Sequence, residues 1–136
     1  MRMTFTASLD QLHSMLAFIR GETGAIGFEG LVKSQIELAL EEALVNIIKH
    51  GYRLSSGDIS IECHPIYQGI IITLSDKGVP FNPCLATSQV SENNESYSTG
   101  GYGIYLMKTI MDHLDYQYCN GCNVFSLTKF LPKASA

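Results

Sequence analysis

Glu42 and Asn46 stand at i and i+4 in the segment LEEALVNIIKHG. On a helix that spacing projects both side chains from neighbouring turns of one face. At ~100° per residue they fall beside the apolar stripe of the same helix rather than opposite it. A carboxylate at such a border can be partly desolvated, and an amide oxygen there can reach a metal ion; taken alone, the pair reads as a solvated helix edge. A second constellation, Asp76-Lys77-Gly78-Val79-Pro80, follows the apolar run Ile70–Ser75 directly. Carboxylate, Gly and Pro at a strand end can be a simple turn. They can equally read a base, the fixed carboxylate accepting from an exocyclic amine while Gly78 lets a ligand approach the backbone closely. The third is Gly100-Gly101-Tyr102-Gly103 ahead of an apolar helical pattern. Glycine-rich backbone leading into a helix N-terminus offers unpaired N–H groups and a positive dipole end, which suit phosphate; a flexible hinge is the alternative. It is neither a P-loop, since no GxxxxGK[ST] occurs, nor a dinucleotide fingerprint, since Leu106 stands where GxGxxG needs its last glycine.

The elements that must position these groups follow from periodicity. Met1–Ala7 alternates as a short strand, and Leu9–Thr23 carries Leu9, Leu12, Leu16 and Ile19 at helical spacing, with Gly21 and Gly24 as expected stops. A longer helix is expected from about Leu31 to His50, ending at Gly51, its core stripe formed by Ile36, Leu40, Ala43, Leu44 and Ile47. Two strands follow, Asp58–Cys63 and Gly69–Ser75. The second is nearly continuous β-branched apolar sequence and therefore central, and Pro65 marks a hairpin or bulged connection between them. Lys77–Thr99 contains Gly78, Pro80 and Pro83 and then a polar stretch, Thr87–Thr99; irregular segments this long are usually functional lids or disordered. Ile104, Met107, Ile110, Met111 and Leu114 return to helical spacing, and Leu114–Tyr118 and Val124–Leu131 close the chain as two strands. In Cys119-Asn120-Gly121-Cys122 the CxxC spacing raises zinc or redox chemistry, but Asn-Gly between strand-like runs is a hairpin signal that puts the thiols at the ends of a two-residue turn. The order β-α-α-β-β-lid-α-β-β predicts an α+β, two-layer α/β sandwich, a mixed and mostly antiparallel sheet with helices on one face.

Composition narrows the function classes. The 136 residues carry 9 Lys plus Arg against 13 Asp plus Glu, a formal charge of −4. A mildly acidic chain without a basic cluster cannot supply the phosphate neutralisation that drives most nucleic-acid binding. No apolar run approaches the ~20 residues needed to span a bilayer, and the N-terminal segment has no signal-peptide pattern, so a cytoplasmic single domain over 1–136 is expected, without membrane or direct nucleic-acid contact. Charged residues make up only 16%, below the roughly 25% usual for soluble domains, so part of the surface is expected to be covered by a partner.

The order and spacing of the three constellations are more specific than any one of them. Leu40–Tyr52 (LEEALVNIIKHGY), Asp76–Pro83 (DKGVPFNP), Gly100–Asp112 (GGYGIYLMKTIMD) and Gly121–Lys129 (GCNVFSLTK) resemble the nucleotide-binding boxes of the Bergerat-fold ATPases. Within that superfamily the chain is most similar to the small anti-sigma factor serine/threonine kinases. The resemblance implies the Bergerat ATPase fold over essentially the whole chain, with a lid over about 79–100. It also implies ATP and Mg²⁺ as cofactors, and a sigma factor and an anti-anti-sigma antagonist as partners. By the same resemblance Glu42 matches the general base for the acceptor serine, Asn46 the magnesium ligand and Asp76 the adenine-reading carboxylate. Gly78 matches the glycine that admits the base, and Gly100, Gly101 and Gly103 lie at the phosphate-facing end of the lid. Lys77 sits at a variable position and receives no role, and His50, one turn beyond Asn46, is a candidate support for it. A homodimer is compatible with both the low surface charge and the resemblance. Two features depart from the family pattern. The first helix carries Arg20 only at its end, and Glu95-Ser96-Tyr97-Ser98-Thr99 has no basic residue before the glycines. Since an arginine that offsets transition-state charge is worth several orders of magnitude in phosphoryl transfer, a nucleotide-gated interaction module that binds ATP or ADP without turnover is the alternative.

Overall fold

Alternation dictates the centre of the sheet. In the computed structural model, which describes residues 1–51, 57–83 and 101–133, Ile59, Ile61 and Cys63 of β2 (Asp58–Ile66) are buried while Asp58, Glu62 and His64 are exposed. Along β3 (Gly69–Asp76), Ile70, Ile72 and Leu74 are buried in the same period of two. That period places Asp76 in phase with them, on the core-facing side. β1 (Arg2–Thr6), β4 (His113–Cys119) and β5 (Cys122–Phe130) complete a five-stranded sheet in the order β1-β2-β3-β5-β4, with β3 central as expected. Among the described residues every strand pairing is antiparallel. The expected sandwich is therefore present, its mostly antiparallel sheet antiparallel throughout.

Three α-helices among the described residues supply the second layer: α1 (Leu12–Ile26), α2 (Gly30–Asn46) and α3 (Gly101–Ile110). Met15 and Ile19 of α1, Ile36, Leu40 and Leu44 of α2, and Ile104 and Met107 of α3 meet the inward isoleucines of β2 and β3 in one core. α1 begins after one 3₁₀ turn, Leu9–Gln11, and runs past both glycines expected to stop it. It ends instead at Gly27, whose φ of +121° a side chain would strain. The Phe28 N–H bonds back to Thr23 O at 3.1 Å and the Gly27 N–H to Gly24 O at 3.1 Å, a Schellman closure with Phe28 buried beneath it. Burying Thr23 and seating Phe28 outweigh the ~1 kcal/mol that each interior glycine costs a helix.

Pro65 lies inside β2, opposite Ile70. β1 pairs only as far as Glu62, so on that side the strand has become an edge and the missing N–H removes no ladder bond. Tyr67 and Gln68, the latter with φ of 60°, form the turn into β3. Asn120 and Gly121, with φ of 54° and 77°, form the expected two-residue turn between β4 and β5. Among the described residues no helix is long and apolar enough to cross a membrane.

Candidate functional site

Asp76 ends β3 only 4% exposed, and Asn123 stands directly opposite it on β5. Asn123, itself 5% exposed, donates through Nδ2 to Asp76 Oδ1 at 3.0 Å, to Val79 O at 3.0 Å and to Gly78 O at 3.3 Å. Its Oδ1 accepts the Phe81 N–H at 3.2 Å and the Tyr116 hydroxyl. Three acceptors on one side and two donors on the other admit a single orientation of the amide. The Gly78 N–H adds 2.8 Å to Asp76 Oδ1. One side chain thus ties the carboxylate to the backbone of the loop that follows it. Burial pushes the Asp76 carboxyl above its ordinary pKa, while the bonds from Asn123 and Gly78 pull it back; burial also raises the Tyr116 hydroxyl, so it remains a donor at neutral pH.

This balance has a measurable consequence. A carboxyl raised in the folded state holds its proton where the unfolded chain has lost it, so its contribution to stability declines as pH rises from the ordinary carboxylate range toward neutrality. Asn123→Ala removes the main opposing bond and leaves the partners of its amide unpaired, at ~1–3 kcal/mol for each group that stays dry. Thermal unfolding should show a lower Tm at every pH and a steeper fall toward neutral pH than the wild type. Parallel curves would separate Asn123 from the ionisation of Asp76.

Across the loop, Asn46 is 7% exposed. Its Nδ2 is the buried side-chain nitrogen that finds no hydrogen-bond partner among the described residues. Such a group costs stability unless something else meets it. Asn46 ends α2, and the next five residues, Ile47–Gly51, form a π turn where a regular helix to His50 was expected; π segments are rare and recur at functional sites. His50, within that turn, stacks on Phe81 with ring centroids 5.1 Å apart and planes 20° from parallel. The described contact of His50 is therefore with the loop after β3. Asn46, Ile47, Asp76, Phe81, Tyr116 and Asn123 line one cleft. An amide orphan, a buried carboxylate and flanking apolar and aromatic walls suit a flat ligand that carries donors at one end and anionic oxygens at the other. They therefore fit a nucleotide.

Glu42 lies one turn before Asn46 and faces the start of α3. A Cβ at Gly103 would come within 2.7 Å of Glu42 Oε1 and 3.4 Å of Glu42 Cβ, so the glycine is what lets the carboxylate occupy that place. The structure therefore brings Glu42 to Gly103, and Asn46 to the Asp76 cleft, on successive turns of α2. Gly101 is the first residue of α3. Gly100, the stretch Thr87–Thr99 and most of the expected lid lie outside the described residues. Arg20, the arginine of the first helix, is committed to α2: its Nε and Nη2 donate to Glu37 Oε1 and Oε2 at 2.9 and 2.7 Å. That fork holds the Glu37 carboxyl below its ordinary pKa.

Residues 5–129 match the histidine kinase-like ATPase domain. The chain belongs to this family. Curated relatives of this ATPase domain include the serine-protein kinase RsbW of Listeria innocua, 27% identical over 119 residues, covering 83% of this chain and 75% of the relative. The serine-protein kinase RsbW of Bacillus mycoides is 28% identical over 118 residues, covering 83% and 73%. That of Bacillus licheniformis is 30% identical over 110 residues, covering 71% and 63%. In this ATPase domain, Asn123 and Tyr116 are the site residues that motif reasoning did not single out. A signal for Asn123 did exist: it is a polar residue in the buried phase of β5, two and four positions before Phe125 and Leu127.

Proposed function

We propose that this ATPase domain is an ATP- and Mg²⁺-dependent serine/threonine kinase that phosphorylates a small anti-anti-sigma protein and, in its other state, sequesters a sigma factor. The observation that carries the reading is the placement of Asn46 and Asp76 on one buried cleft, with Glu42 one helical turn away. Asp76 accepts from the adenine amine beside Gly78, and Asn46 holds the metal. Backbone N–H groups at Gly100, Gly101 and Gly103 meet the phosphates at the end of a lid over about residues 79–100. Mg²⁺, when bound, offsets the negative charge of the phosphates. Glu42 orients the acceptor hydroxyl and takes its proton, so the protein's contribution is positioning and charge stabilisation. The mildly acidic surface agrees with protein partners in the cytoplasm rather than nucleic acid. Incubation with γ-labelled ATP, Mg²⁺ and a purified candidate antagonist should place label on a serine or threonine of the antagonist. Saturable ATP binding with no transfer to any antagonist would favour the nucleotide-gated module, the reading to which the engagement of Arg20 by Glu37 lends weight.

The contact between Glu42 and Gly103 gives a sharper expectation. In Gly103→Ala the new methyl meets the mobile end of the Glu42 side chain, which can swing aside, and alanine restores ~1 kcal/mol of helix propensity. Stability should therefore change by no more than about 1 kcal/mol, whereas phosphotransfer should fall steeply because the carboxylate has left its position. Denaturant unfolding and a transfer assay on the same preparation measure both quantities. Wild-type transfer by Gly103→Ala would remove Glu42 from the chemistry.

A further inference from the structure

Cys119 and Cys122 are both free, the first exposed and the second half-buried. They are the last residues of β4 and the first of β5, and they lie directly opposite one another in the antiparallel register. Asn120 and Gly121 between them both have positive φ, 54° and 77°, the signature of a tight two-residue turn that holds the flanking pair in place. Directly opposed residues point to the same face of a sheet, with Cα atoms about 4.5–5.5 Å apart and Cβ atoms at a similar separation. The Cα separation lies within the ~4.4–6.8 Å that a disulfide spans, but the Cβ atoms must close to about 3.8 Å. A bond across this pair is therefore reachable and strained, the combination that makes disulfides labile rather than structural. Among the described residues, no group of three or more His, Cys, Asp or Glu gathers to hold a metal. Cys63 is no competitor, because it is buried on β2 and desolvation pushes its thiol up to about 12.

The position of this pair couples it to the cleft. Cys122 immediately precedes Asn123, the side chain that binds Asp76, Gly78, Val79, Phe81 and Tyr116. Drawing the two strands together at their ends shifts the backbone that aims that amide.

We propose that Cys119 and Cys122 form a reversible thiol–disulfide site for low-molecular-weight disulfides, and that its closure weakens nucleotide binding through Asn123. With oxidised glutathione the Cys119 thiolate attacks one sulfur, forming a mixed disulfide and releasing one glutathione. The Cys122 thiolate then attacks Cys119 Sγ, forming the Cys119–Cys122 bond and releasing the second glutathione. The two cysteine protons end on the two glutathione thiols, and the two electrons lost by the cysteine sulfurs reduce the glutathione disulfide. The thiol chemistry stands by itself; only its effect on the cleft rests on the nucleotide reading.

The full chain carrying Cys84→Ser, equilibrated with oxidised glutathione, alkylated and weighed intact, tests the pair. Loss of two hydrogens, with neither Cys119 nor Cys122 alkylated, is the expected result. A persistent glutathione adduct, or two alkylated thiols, overturns the site. ATP titration of the reduced and oxidised forms then tests the coupling. Affinity should fall several-fold on oxidation and return with dithiothreitol, and Cys119→Ser should show no such response. Equal affinity of the two forms overturns the coupling. If the reduced protein binds no ATP at all, it is the nucleotide reading that fails, and the mass measurement still decides the thiol pair.

Discussion

Asp76→Asn should lose adenine nucleotide binding while keeping, or slightly raising, its thermal stability. The replacement is isosteric, and its oxygen can still accept from Asn123 and from the Gly78 N–H, which reach Asp76 Oδ1 at 3.0 and 2.8 Å. Its NH₂ group is then left toward the cleft, where the proposed ligand also presents an amine. A lost charged acceptor is worth ~1.5–3 kcal/mol, or ~10–150-fold in affinity, before the repulsion of two facing donors is added. Stability moves the other way. Burial already disfavours the charged form of Asp76, and a neutral side chain relieves that cost. Calorimetric titration together with a melting curve separates the two effects. Unchanged ATP affinity in the variant would remove Asp76 from base recognition.

Glu42→Gln should do the reverse. It preserves the volume beside Gly103, where space is tight enough that a methyl group would come within 2.7 Å of the carboxylate, but it removes the basic oxygen. A general base typically contributes ~10²–10⁴ in rate. Phosphotransfer should therefore fall by that factor at saturating ATP, while the ATP dissociation constant stays within about twofold of wild type, because the proposed role of Glu42 is on the acceptor hydroxyl. Transfer at the wild-type rate would remove Glu42 as the general base.

Which parts of this molecule were legible in its sequence depends on whether the deciding interaction is local. The apolar stripes of the helices, the central character of β3 and the Asn-Gly turn are short-range patterns, and each appears in the fold. The spacing of Glu42 and Asn46 is also local, and it places both on one face of α2. The end of α1 was misplaced because Gly21 and Gly24 look like stops in isolation, whereas the helix ends where Phe28 can be buried and Gly27 can take positive φ. The π turn at Ile47–Gly51 has no sequence signature comparable to a proline or glycine kink. Asn123 does alternate with Phe125 and Leu127 in the buried phase of β5, but its neighbours mask that signal. Beside Asn120, Gly121 and Cys122 it looks like one more turn residue. It becomes a site residue only through the β3–β5 register that sets it opposite Asp76, a pairing made across 47 residues of chain.

The most direct test of the account is the choice between two purine nucleotides. In the proposed site the buried carboxylate of Asp76 would accept from the exocyclic amine of adenine, but it would face the carbonyl of guanine, acceptor against acceptor. With the wild-type chain and Mg²⁺, ATP should displace a fluorescent adenine nucleotide at least ~10-fold more effectively than GTP, the factor expected for one hydrogen bond to a charged group. Equal displacement by ATP and GTP, or by neither, would contradict the assignment of this cleft as an adenine nucleotide site.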